Sequence, residues 1–140
     1  MISAVHRVDI PATEDLGPAE CWRLLGTKDL GRLALTAIDG VDIFPVNYTV
    51  NDGLLYFRTA PGKKMIDLTG DPIVAFEADG TANRHRWSVV VRGRAERVNF
   101  DIEIETSGVN ELKSLSPTTK WNYVRITPSA ITGRRFRAQR

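Results

Sequence analysis

Residues 43–68, IFPVNYTVNDGLLYFRTAPGKKMIDL, decide how the rest of the chain is read. The first eight are rich in β-branched and aromatic side chains, Asn51-Asp52-Gly53 offers a tight reversal, and residues 54–59 continue as a second strand. The result is a β-hairpin. Ala60-Pro61-Gly62 then breaks the sheet pattern, and Lys63, Lys64, Met65, Ile66 and Leu68 suit a short helix with one apolar side. At that break a glycine lets backbone N–H groups turn toward a ligand, the helix start adds its positive dipole end, and two lysines stand beside it. This is the make-up of a phosphate seat; the same residues also suit a solvated lysine pair.

Outward from this stretch, residues 30–38 alternate as a strand and Asp39-Gly40 signals a hairpin into residues 41–50, so the first strands form a meander. Upstream, Pro18, Glu20, Cys21, Trp22, Leu24 and Leu25 describe a short helix stopped by Gly26, and residues 1–15 read as a loosely held arm. Downstream, residues 73–76 form a core strand, and polar residues 79–86 read as a connection to a long strand over 87–98 that Gly93 interrupts as a bulge. Residues 100–115 mix strand and helix patterns. Residues 121–126 and 130–136 read as two strands separated by a turn at Pro128-Ser129, before a basic tail at 137–140. Six or seven antiparallel strands with short flanking helices in one domain spanning 1–140 make a mainly β protein, and a barrel closes off its edges.

A chain of 140 residues can bury about two thirds of its unfolded surface, enough for one core. With 42% hydrophobic and 26% charged residues and no apolar run of membrane-span length, neither a membrane nor a signal segment is expected, and the cytoplasm is the expected location. The net charge of +2 is too small to argue for nucleic acid. Cys21, the only cysteine, fits a helix core position and a reducing compartment. His6 and His85 lack zinc-ligand spacing, so no metal is expected, and the serines lack a nucleophile elbow. Asp101, Glu103 and Glu105 would share one face of a strand, as a solvated surface does. Neither a triphosphatase phosphate loop nor a three-glycine dinucleotide fingerprint is present.

Several pieces, in order, carry a resemblance: Cys21-Trp22-Arg23-Leu24-Leu25, Gly31-Arg32-Leu33-Ala34, Pro45-Val46-Asn47-Tyr48, Tyr56-Phe57-Arg58-Thr59 and Gly62-Lys63-Lys64. The series continues with residues 87–95, 124–128 and 131–135. Over residues 16–136 the chain resembles the pyridoxamine 5'-phosphate oxidase-like family of FMN-binding split β-barrels, with the layout of its nitroimidazole-reductase-like branch. The resemblance implies FMN laid across barrel strands at a homodimer interface. It puts Phe44, Pro45 and Val46 along the isoalloxazine edge through backbone groups, Arg58, Thr59, Lys63 and Lys64 at the phosphate, and Ser88 near the ring. Tyr48, also a cofactor-binding candidate, stands where the vitamin oxidases carry a basic residue, Ser88 where they carry a side-chain amide, and Arg58 where some nitroimidazole-reductase-like proteins have histidine.

These departures weigh against pyridoxamine phosphate as substrate more than against the flavin. The implied activity is an FMN-dependent oxidoreductase passing electrons or hydride to a small molecule, with no catalytic side chain assigned. A deazaflavin-dependent reductase and a non-enzymatic flavin- or haem-binding protein are the competing readings. For the homodimer, Trp87 and Trp121 are candidate interface anchors, equally suited to the core, and Arg134 and Arg135 would lie near the neighbour's ligand.

Overall fold

The computed structural model describes residues 13–59, 70, 72–112 and 122–137. Its elements are β1 (Thr13–Leu16), α1 (Pro18–Leu25), β2 (Leu30–Ala37), β3 (Gly40–Asn51), β4 (Leu54–Thr59), β5 (Ile73–Ala82), β6 (His85–Arg97), α2 (Asp101–Ser107), a 3₁₀ turn (Val109–Glu111) and β7 (Asn122–Arg137). Every strand pairing is antiparallel. The hydrogen-bonded order β7-β4-β3-β2-β5-β6 closes on itself through β6–β7, and β1 lies on the outer edge of β7. This is a split barrel. The expected helix over residues 63–68 lies outside the described residues.

The two-residue alternation of the strands explains closure. Leu33, Leu35, Val46, Tyr48, Leu55, Phe57, Val74, Phe76, Val89, Val91, Val124 and Ile126 all turn inward and form one core. Helix α1 seals one end with Cys21, Leu24 and Leu25, packed so closely on β7 that a Cβ on Gly133 would lie 2.6 Å from the Cys21 Sγ. The expectation that Cys21 is a buried helix residue is met, and burial pushes its thiol pKa up.

Several expectations are corrected. The two last strands are one, since β7 runs through Pro128, where pairing with β6 shifts register between Arg92 and Gly93. A Cβ on Gly93 would lie 2.2 Å from the Thr127 carbonyl oxygen, which is why glycine stands at the bulge. Residues 79–86 form no long connection. Strands β5 and β6 meet at a two-residue turn, Asn83-Arg84, with φ of 51° and 64°. Thr13–Leu16 of the expected arm is a strand paired with β7, where Glu14 accepts from Arg135 at 2.6 and 2.9 Å. Asp101, Glu103 and Glu105 sit on helix α2, not on a strand.

Candidate functional site

Strands β3 and β4 pair over only four residues, from Asn51↔Leu54 to Tyr48↔Phe57. Beyond that point they part. Strand β4 continues along β7, with Arg58↔Tyr123 and Thr59↔Asn122, while residues 40–47 of β3 continue along β2. The divergence leaves an opening in the ladder, with Phe44, Pro45 and Val46 on its β3 side and Arg58 and Thr59 on its β4 side. Among the described residues no strand pairs with the second edge of β3 beside Phe44, Pro45 and Val46, and this is where a strand tolerates a proline. Val46 is buried and Phe44 half-buried against the core, so β3 can offer the opening its main chain and the outward Pro45.

Arg58 is half-buried and reaches across its own strand. Its Nη1 donates to the Asn110 carbonyl at 3.1 Å and its Nη2 to the Leu112 carbonyl, so the guanidinium holds the 3₁₀ turn against the barrel end. Five N–H donors in a planar fork allow such a group to serve carbonyls and an anion together. Thr59 is 6% exposed. Lys63 and Lys64 lie outside the described residues.

Tyr48 does not reach the opening. Its side chain is 1% exposed, its hydroxyl donates to the Leu25 carbonyl at 2.6 Å, and its ring meets Phe76 edge-on at 4.7 Å. Burial drives its phenol pKa well up, so it stays a neutral donor that anchors α1. The Tyr48 side chain is thus part of the core. Trp87 is likewise a core residue at 2% exposure, not an interface anchor, and Trp121 lies outside the described residues.

Ser88 is on another face. It points outward from β6, which is separated from β3 by β2 and β5, three strand spacings or roughly 14 Å. Between the two runs an ion-pair cluster, Arg32 with Glu77 at 2.6 Å and with Asp79 at 2.8 Å. Ser88 opens on a concavity of about 520 Å³ shared with Val90, Ile131, Thr132, Arg134, Asp15 and Leu16. One copy of the chain therefore presents two separate surfaces, the β3/β4 opening and the Ser88 concavity. Sequence reasoning missed Asp15, Leu16 and Thr132: the pairing of β6 with β7 brings Thr132 beside Ser88, and that of β1 with the far end of β7 adds Asp15 and Leu16.

The parted barrel strands and their main-chain edge define the split-barrel class. Within it, residues 17–135 match the family model described as pyridoxamine 5'-phosphate oxidase, and the chain belongs to that family. A Corynebacterium glutamicum protein named provisionally for pyridoxamine 5'-phosphate oxidase is 40% identical, with a TM-score of 0.78 over 93% of this chain and 98% of that one. An FAD-binding protein from Mycobacterium smegmatis is 38% identical, with a TM-score of 0.76 over 90% of this chain and all of its own (100%). An FAD-binding protein from Mesorhizobium loti is 26% identical, with a TM-score of 0.73 over 88% and 96% of the two chains.

Proposed function

We propose that this chain is a flavin-nucleotide-binding oxidoreductase that works as a homodimer. The observation that carries the reading is the parting of β3 from β4, which leaves the β3 edge at Pro45 unpaired among the described residues while Arg58 and Thr59 run on along β7. The groups present suit the FMN moiety common to FMN and FAD: on the open edge of β3 Pro45 offers a carbonyl and no N–H for the ring, and Arg58 and Thr59 offer a guanidinium and a hydroxyl for the phosphate. The likeness to two FAD-binding proteins supports the same class. A bound flavin supplies the electron or hydride transfer; the chain supplies orientation and electrostatics.

The dimer rests on two observations. Ser88 and the open edge of β3 lie on strands separated by β2 and β5, with the Arg32, Glu77 and Asp79 ion pairs between them, and a second copy brings a second Ser88. The outer face of β3, β2 and β5 also leaves Val41, Ile43 and Ile73 at 69, 66 and 68% exposure, and Val41 and Ile73 line a shallow concavity of about 250 Å³ there. An isologous contact through this apolar face buries it in both copies.

The test is titration of the purified protein with FMN, FAD and riboflavin, followed by quenching of flavin fluorescence, with light scattering on the same samples. Binding of both nucleotides more tightly than riboflavin, at a dimeric mass, is the expected result. Equal affinity for all three ligands overturns the phosphate seat, absence of binding overturns the flavin, and a monomeric mass at saturation overturns the shared site.

A further inference from the structure

We propose that α2 and the 3₁₀ turn are a positioning element for Arg58: they hold its guanidinium in place for a phosphate and so set the preference for a phosphorylated flavin over riboflavin. The inference rests on the reading of Arg58 given above and deepens it. Pairing with Tyr123 fixes the Arg58 main chain on β4. The side chain is a separate matter, since a loose arginine has many rotamers and a ligand that must order it loses affinity. Here the ordering is done in advance. Nη1 donates to the Asn110 carbonyl at 3.1 Å and Nη2 to the Leu112 carbonyl. Contacts at two different nitrogens fix both the place and the plane of the group, and these neutral acceptors do so without cancelling its charge.

The two carbonyls are themselves held by a short run of buried contacts. Val109 is wholly buried in the second core with Tyr56 and Val98, and Leu112 packs against the same cluster. The turn begins at Gly108, which closes α2 in the left-handed conformation at φ 80°. Ser107, also buried, joins helix to turn: its hydroxyl donates to the Ile104 carbonyl and accepts from the Val109 N–H, both at 3.3 Å. Helix α2 is tied to the sheet through Glu103, which accepts from Tyr56 on β4 and from Arg125 on β7. Loosening this run frees the guanidinium that a phosphate would meet. By linkage, a phosphate that engages the ordered guanidinium stabilises the turn by the same free energy.

The experiment compares FMN with riboflavin by fluorescence quenching and follows amide exchange at residues 109–112 in the same samples of full-length protein. FMN should slow that exchange and riboflavin should not. Ser107→Ala removes the join, and Gly108→Ala strains the left-handed position without a clash, since a Cβ there meets nothing within 4 Å. Each should quicken exchange at 109–112 and lower the FMN-to-riboflavin affinity ratio about fivefold or more, the low end of coupling between sites. Val89→Ala, a core truncation on β6, should leave the ratio unchanged. An unchanged ratio in variants whose turn exchanges faster overturns the proposal, because a contact that only stabilises the fold would behave in that way. If wild type binds neither flavin, the flavin reading falls and inorganic phosphate decides the inference alone. Slower exchange at 109–112 in millimolar phosphate than in potassium chloride of equal ionic strength, lost in Arg58→Lys, upholds the coupling; equal exchange in the two salts overturns it.

Discussion

The outer face of β4 and the outer face of β3, β2 and β5 are made of the same kind of sheet but treated oppositely. On β4, Tyr56 is 2% exposed because α2 and the 3₁₀ turn lie over it, and with Val98 and Val109 it forms a second small core. On β3 and β5, Val41, Ile43 and Ile73 stand in solvent. The covered face is also pinned by polar groups. The Tyr56 hydroxyl donates to Glu103 at 2.7 Å, Arg125 donates to both Glu103 oxygens at 2.7 and 2.6 Å, and Arg58 ties down the turn. Among the described residues, an intramolecular partner covers the first face only.

The largest effect should come from opening the covered face. Tyr56→Ala removes a buried aromatic ring and leaves Glu103 without one of its donors, on the scale of roughly 3–5 kcal/mol for large aromatic truncations. Urea denaturation should show the loss, and amide exchange should rise across residues 101–112. If exchange there is unchanged, α2 does not depend on this contact.

Next is the opposite face. Ile43→Asp sits at 66% exposure, so it should alter the stability of an isolated subunit by no more than about 0.5 kcal/mol. In a dimer the substitution enters the interface twice, and each buried unpaired charge there costs about 2 kcal/mol or more. Light scattering should therefore report a monomer with a nearly unchanged melting curve. A retained dimer would move the interface elsewhere on the barrel.

A pH series sharpens the same contrast. Burial alone would raise the Glu103 pKa, but hydrogen bonds from Arg125 and Tyr56 outweigh it and hold the carboxyl below its ordinary value of 4.5. A depressed folded pKa means stability that is present above pH 4.5 and lost as pH falls through the folded value. Glu103→Gln should be less stable than wild type at neutral pH by about 1–2 kcal/mol, and the gap should shrink below pH 4.5. An acid limb of equal slope in both proteins would mean that Glu103 does not titrate with unfolding.

How much of this was legible depended on how far apart the deciding residues lie. Strands β2, β4 and β6 alternate cleanly, and Gly93 announced its bulge, so the barrel followed from local pattern. Strand β1 did not, because Glu14 and Asp15 look like a solvated arm until Arg134 and Arg135, about 120 positions later, are placed beside them. Helix α2 was ambiguous for a physical reason: Phe100, Ile102 and Ile104 repeat every second residue, yet Phe100 and Ile102 are exposed and only Ile104 packs inward. Asn83-Arg84 hid a tight turn because it lacks the usual glycine. At the site, Arg58 acquires two carbonyl partners 52 and 54 residues away that no motif could show.

The smallest effect concerns β1, which belongs to neither face and is held to β7 partly by charge. Glu14 is 53% exposed and Arg135 35%, so water and salt screen their attraction despite the 2.6 Å contact. Glu14→Gln should cost no more than about 1 kcal/mol in global stability. Its local effect should be easier to see, since β1 is a four-residue strand that pairs, among the described residues, with β7 alone. Amide exchange at residues 13–16 should quicken in the variant, and raising the salt concentration should quicken it in wild type but hardly at all in Glu14→Gln. Equal salt sensitivity in the two proteins would mean that the ladder of hydrogen bonds with β7, not the ion pair, holds the strand.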